Sequence, residues 1–148
     1  MTAEVEQKEA VVAAGKELLE REIDADLRCD TAMCIGEYLR RHMQQPAEAV
    51  KVYRAALEAI RQADGERHHR RLVAYLLREI GDTLFYYLHD FDAALNEYDK
   101  VVGRYADALE DNIVRLTKIK IGDIHLSLIH ISEPTRLLSI SYAVFCLK

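Results

Sequence analysis

The sequence predicts an all-α fold built from tandem antiparallel helix pairs, and three observations predict it. Apolar residues recur at three- and four-residue spacing through most of the 148 positions, the mark of helices with one buried face. Ala, Leu, Glu and Arg are abundant, with only 6 glycines and 2 prolines to interrupt them, a composition that favours helix. The chain also repeats itself: IGEYLRRHMQQPAEAVKVYRAAL, from Ile35, is matched by IGDTLFYYLHDFDAALNEYDKVV, from Ile80. Period-two alternation, which would suggest strands, arises only in residues 126–148.

Each element has its own signals. A first helix is expected over residues 4–22, with Ala10, Ala14, Leu18 and Leu19 on its apolar face. Asp24 and Asp26 offer N-caps for a second, because a short carboxylate accepts from the unpaired amides of a first turn. Its stripe is Thr31, Cys34, Ile35, Tyr38, Leu39 and Met43. Pro46 suits the first position of a third helix, where its missing N–H costs nothing. Ala49, Tyr53, Ala56, Leu57 and Ile60 form that helix's face, and Asp64-Gly65 ends it. A fourth helix, from about Glu66 to Leu88, presents Val73, Leu76, Leu77, Ile80, Leu84, Tyr87 and Leu88. Asp90 is the expected cap of a fifth, with the stripe Ala94, Tyr98, Val101, Val102 and Tyr105. Asp111 is the expected cap of a sixth, through Val114 and Ile121.

At one offset, Ile35, Gly36, Glu37, Leu39, Met43, Ala49, Val50 and Tyr53 correspond to Ile80, Gly81, Asp82, Leu84, Leu88, Ala94, Leu95 and Tyr98. Amphipathicity alone would not put a Gly, an acid and a Tyr in the same slots. Gly inside a helix costs about 1 kcal/mol relative to Ala, so it belongs where a neighbouring helix comes close. Ala49 and Ala94 are small for the same reason, and the Tyr four residues on fills the space beyond. A third mark, Ile121-Gly122-Asp123, follows.

These residues resemble the tetratricopeptide repeat family, whose unit is an antiparallel helix pair with Leu/Ile-Gly on the first helix and Ala-x3-Tyr/Phe-x2-Ala on the second. Ile35-Gly36, Ala49, Tyr53 and Ala56 match in one unit. Ile80-Gly81, Ala94 and Tyr98 match in the next, with Val101 in place of the last Ala, and Asp90-Phe91-Asp92-Ala93-Ala94 is similar to the family's turn into its second helix. Ala32, Leu77 and Lys118 stand where the family has a bulky residue, which makes the third unit the weakest match. The long period is similar to that of the long-helix variety in kinesin light chains. The resemblance implies a short right-handed solenoid of about 2.5–3 units, starting near residues 25, 66 and 111 and preceded by the helix at 4–22. It also implies a concave groove lined by the first helix of each unit. By position, the groove residues are Asp30, Met33, Glu37, Arg40 and Arg41 in one unit, and Tyr75, Arg78, Asp82, Phe85 and Tyr86 in the next. Phe85 and Tyr86 fall outside the apolar stripe, so they are expected either to anchor a peptide or to pack on an adjacent unit.

Residues 126–148 break both period and composition. LSLIHISEPTR and ISYAVFCLK, three residues apart, resemble in-frame translations of two adapters used in DNA sequencing libraries. The expectation is a repeat region over 1–125, truncated within its third unit, and a non-native tail. The alternative is a native apolar terminus, as a strand or a membrane-associated segment.

Composition narrows the function. A net charge of −5 argues against a nucleic-acid binder, which needs a basic face. No apolar run approaches the roughly 18–20 residues that span a bilayer, and no signal peptide is recognisable at the N-terminus. Three cysteines without framework spacing fit a reducing, cytoplasmic setting. His68 and His69 are adjacent, so they point about 100° apart on a helix and do not converge on a metal; a solvated helix start is expected. Cys29 and Cys34 match no zinc spacing and are expected to be buried or partly buried. Asp90 beside His89 reads as a cap rather than half of a catalytic pair. With no phosphate loop, metalloprotease motif or nucleophile elbow, no catalytic, cofactor or metal site is expected.

The expected function is therefore a non-catalytic scaffold or adaptor fragment holding a partner peptide or helix. The alternative is a sensory or regulatory region of a larger signalling protein whose effector domain is missing; a helical-repeat enzyme subunit fits less well. Glu37, Asp82 and Asp123 stand where the family's carboxylate-clamp members have Asn, which disfavours C-terminal carboxylates and favours a basic or mixed-charge segment. Self-association through an open third unit is also expected.

Overall fold

A computed structural model describes residues 3–64 and 67–132. It contains α1 (Ala3–Leu19), α2 (Ala25–Arg41), α3 (Pro46–Asp64), α4 (Arg70–Tyr86), α5 (Phe91–Arg104) and α6 (Asp111–Ser132), with a single 3-10 turn at Ala106–Ala108 before α6. No strand occurs among the described residues. The fold is all-α. Neighbouring helices pack in series, α2 on α3 and α4 on α5 most extensively, with α1 on α2, α3 on α4 and α5 on α6 joining the pairs.

The local signals act as the chemistry requires. Asp24 accepts from the Leu27 amide at 2.8 Å, and Asp90 accepts from the Ala93 amide at 3.3 Å. α3 starts at Pro46 and stops at Asp64. The turns inside the two pairs share one construction. Gln44 and His89, at matching positions, both take positive φ (53° and 54°). The next amides reach back to the helix, Gln45 to the Leu39 carbonyl at 2.8 Å and Asp90 to the Leu84 carbonyl at 2.9 Å. This six-residue closure satisfies carbonyls that a helix end leaves unpaired. The repeat thus extends to backbone hydrogen bonds that side-chain identity does not specify.

The core joins both pairs. Tyr53, Tyr98, Tyr105, Leu39, Ile60, Leu76, Leu77 and Ile80 are fully buried. The expected stripes of α3, α4 and α5 face inward through Ala49, Tyr53, Ala56, Leu57 and Ile60, then Val73, Leu84, Ala94 and Val101.

Several expectations need correction. α1 ends at Leu19 rather than at 22, because the Arg28 guanidinium bonds the carbonyls of Leu19 (2.7 Å) and Arg21 (3.0 Å), closing the chain into a turn. Its inner face carries Val12 and Gly15, while Ala10 and Ala14 are exposed. Gly15 seats the Ile35 side chain, which occupies the space a β-carbon would need. On α2, Cys29 is buried and Cys34 exposed, so Cys34 leaves the expected stripe. α4 starts at Arg70 rather than near Glu66: the basic Arg67, Arg70 and Arg71 oppose the positive end of the helix dipole, and residues 67–69 form a turn. His68 is exposed in that turn. Because α4 stops at Tyr86, Leu88 lies in the following turn and is exposed. Asp111 is the first residue of α6, not its cap; the Glu110 carbonyl receives the amides of Ile113 and Val114.

No structural boundary falls between residues 125 and 126. α6 continues through Leu126 to Ser132, as no helix breaker stands between Gly122 and Pro134. The rest of the expected tail, 133–148, lies outside the described residues.

Candidate functional site

Each helix pair closes around its glycine. A β-carbon on Gly36 would overlap the Tyr53 ring, and one on Gly81 would stand 2.7 Å from Tyr98 Cε1. Both rings are fully buried. Here the two pairs diverge. The Tyr98 hydroxyl donates to Asp82 Oδ1 at 2.5 Å, while the Tyr53 hydroxyl has no hydrogen-bond partner among the described residues. Glu37, the counterpart of Asp82, instead bonds Arg40 at 2.6 Å and Arg41 at 2.5 Å. Burial raises the pKa of both phenols above the ordinary tyrosine value, and for Tyr98 the Asp82 charge pushes it further.

Polar rungs tie one pair to the next. Arg40 reaches from α2 to α4, bonding Glu79 at 2.9 Å and the Thr83 hydroxyl at 3.0 Å. The Thr83 hydroxyl in turn donates to the Glu79 backbone carbonyl at 2.8 Å. The Arg40 and Glu79 side chains are only 10% and 16% exposed. Burial holds the Glu79 carboxyl above its ordinary value, with Arg40 opposing that effect. Between α4 and α6, Lys120 donates to the Asp82 oxygen that also receives the Tyr98 hydroxyl, at 2.7 Å. Between α3 and α5, Arg54 reaches the buried Glu97 at 3.2 Å.

These rungs change the standing of the expected groove residues. Arg40 is a largely buried brace, not an open contact. Asp82 joins α4, α5 and α6, and its side chain is 14% exposed. Met33 is half-buried against the core, with its sulfur 3.8 Å from Cys29 Sγ. Tyr75 also packs against the core, and its hydroxyl accepts from Arg71. Arg78 is half-buried, with Nε lacking a hydrogen-bond partner among the described residues. Asp30 and Arg41 are exposed.

Phe85 and Tyr86 form one cluster. Their rings meet edge to face at 4.7 Å, and Phe85 meets Phe91, at the start of α5, at 5.6 Å. Phe85 therefore packs within its own pair. Tyr86 remains 52% exposed, with the Lys120 ammonium 5.4 Å from its ring centre.

Glu79, Thr83, Lys120, Arg54 and Glu97 complete the rungs and were not anticipated. One signal was present: Glu79 and Lys120 occupy the same slot, immediately before the Ile-Gly mark, with opposite charges suited to the opposite partners Arg40 and Asp82.

Elsewhere, a shallow recess of about 290 Å³ lies between α1 and the α2–α3 turn, lined in part by Lys8, His42 and Met43. None of the expected groove residues lines it. The two arginines that open α4 are engaged with acids of the chain, Arg70 with Asp107 at 2.8 Å and Arg71 with Glu110 at 3.5 Å. Among the described residues, no three His, Cys, Asp or Glu side chains gather to hold a metal ion, and no helix is long and apolar enough to cross a membrane. Comparison with family models, curated proteins and solved structures finds no match.

Proposed function

We infer that the chain is a non-catalytic protein-interaction module, a scaffold or adaptor of the tetratricopeptide type, that holds a partner helix or extended segment against the flank of α4. The observation that carries this reading is the exposed ring of Tyr86 beside Phe85 and Phe91. An aromatic side chain held in place by neighbouring rings loses little entropy on binding and makes an effective anchor. The Gly–Tyr contacts and the matching turns of the two pairs support the repeat assignment.

The rungs refine the partner. Glu37 and Asp82 spend their charge on Arg40, Arg41 and Lys120, which leaves little field to attract a strongly basic peptide. A mixed-charge amphipathic segment with one apolar anchor fits this flank best. Because Asp82 also holds the Tyr98 hydroxyl, its removal would disturb packing, and Tyr86→Ala is the cleaner probe. Panning a displayed peptide library against the chain should enrich mixed-charge peptides with a shared apolar residue. Equal enrichment on the Tyr86→Ala variant, or none on either, would count against the reading.

A further inference from the structure

Arg78, Asp82 and Tyr86 follow one another at four-residue spacing along α4, which puts them on a single ridge of the helix. An Arg and an Asp so spaced ordinarily pair, but here the acid is engaged elsewhere. Asp82 receives the Tyr98 hydroxyl and the Lys120 ammonium on one oxygen. Glu79, next to Arg78 in sequence, is bonded by Arg40 and senses Arg78 only as a weaker field. Among the described residues, Arg78 Nε has no hydrogen-bond partner and the guanidinium joins no ion pair.

The repeat does not call for this cation. Met33 holds the matching position in α2, where it packs against the core, and Ile119 holds it in α6. Arg78 is half-buried, so its charge is less screened than that of a fully solvated side chain. With Nε enclosed, a partner reaches the guanidinium at its Nη end, whose N–H groups suit a carboxylate. The acid between Arg78 and Tyr86 does not oppose such a partner, because Lys120 matches the Asp82 charge at 2.7 Å.

We propose that Arg78 selects an acid in the partner segment: a side-chain carboxylate, from Asp or Glu, set about 12 Å from the apolar residue that meets Tyr86, the rise of α4 between the two positions. The inference rests on peptide capture at Tyr86 and adds the charge and spacing that capture requires. That distance corresponds to about eight residues along a helical partner and about four along an extended one. Tyr86 supplies the apolar contact, and Arg78 fixes which segments can make it.

Panning a displayed peptide library on the full chain and on Arg78→Gln tests this. Peptides enriched on wild type should share an Asp or Glu at constant spacing from the shared apolar residue. Those enriched on Arg78→Gln should keep the apolar residue and lose the acid. One wild-type peptide is then titrated beside its Asn or Gln analogue, both with amidated C-termini, so that no terminal carboxylate supplies the contact. On wild type the amide analogue should bind roughly tenfold more weakly. On Arg78→Gln the two peptides should bind alike, and melting curves should show the variant folded. A wild-type consensus with the apolar residue but no acid at constant spacing would overturn this inference and leave the anchor at Tyr86 standing. No enrichment on wild type would overturn both. Equal affinity of the acid and amide peptides for wild type would also overturn it, whether or not Arg78→Gln folds.

Discussion

The ring of Tyr98 occupies the space that a side chain on Gly81 would need, and Tyr53 does the same over Gly36. Gly122, at the third mark, has no such cover among the described residues. Alanine should therefore act with opposite sign at these positions. At Gly81 the added methyl is forced against a buried ring, costing roughly 1–3 kcal/mol against a helix gain of about 1 kcal/mol. Gly81→Ala and Gly36→Ala should lower the melting temperature, while Gly122→Ala should raise it by a few degrees or leave it unchanged. Equal effects at all three sites would remove the distinction.

Arg40 and Glu79 form a second linked pair. Removing the cation leaves a largely buried carboxylate with no hydrogen-bonded cation, only the weaker field of Arg78, so Arg40→Met should destabilise by about 3 kcal/mol. Arg40→Met combined with Glu79→Leu should recover most of that loss, because neither charge is then stranded. Chemical denaturation of the two single variants and the double variant measures the coupling. Additive losses would show that the pair does not act as a unit.

Glu79 also gives stability a definite pH dependence. Its folded pKa lies above the ordinary 4.5, so between those values the folded state holds a proton that the unfolded chain has released. Stability from this group therefore falls as pH rises through that window, and the difference vanishes below the unfolded value. Glu79→Gln should remove this contribution, so that wild type loses ground to the variant as pH increases from 4 toward neutrality. Parallel melting curves across that range would contradict the assignment.

The two described cysteines should react differently. Cys29 is buried, and burial with nearby Asp30 and Asp26 pushes its thiol up to about 11, so little nucleophilic thiolate forms at neutral pH. Cys34 is exposed one turn away. Brief alkylation of the native chain followed by peptide mapping should label Cys34 and spare Cys29 until denaturant is added. Equal labelling would place both thiols in solvent.

Much of the fold was legible because its signals are local. Asp24, Pro46 and Asp90 mark helix starts through their own side chains, and the Ile-Gly and Ala-x3-Tyr spacing ties each pair together. The face of α1 was not legible in the same way. Ala10 and Ala14 suit an apolar stripe as well as Val12 and Gly15 do, and the choice is made by Ile35, which needs the groove at Gly15. The candidate groove was legible only as a set of positions. Arg40 and Asp82 fall on the expected flank, but their partners Glu79 and Lys120 are 39 and 38 residues away, and no local pattern specifies that a long polar side chain will turn beneath the surface. The aromatic pair was legible as a departure from the stripe through Leu84, but the sequence did not show that Phe85 would turn onto Phe91 and leave Tyr86 exposed.

Tyr86 is the proposed anchor for a partner segment, and its exposed ring is the feature that peptide capture depends on most. Its direct test is calorimetric titration of a library-selected peptide into wild type and Tyr86→Ala, with melting curves showing both equally folded. The account predicts at least a tenfold weaker Kd for the variant, about 1.4 kcal/mol of lost binding. An unchanged Kd would contradict it.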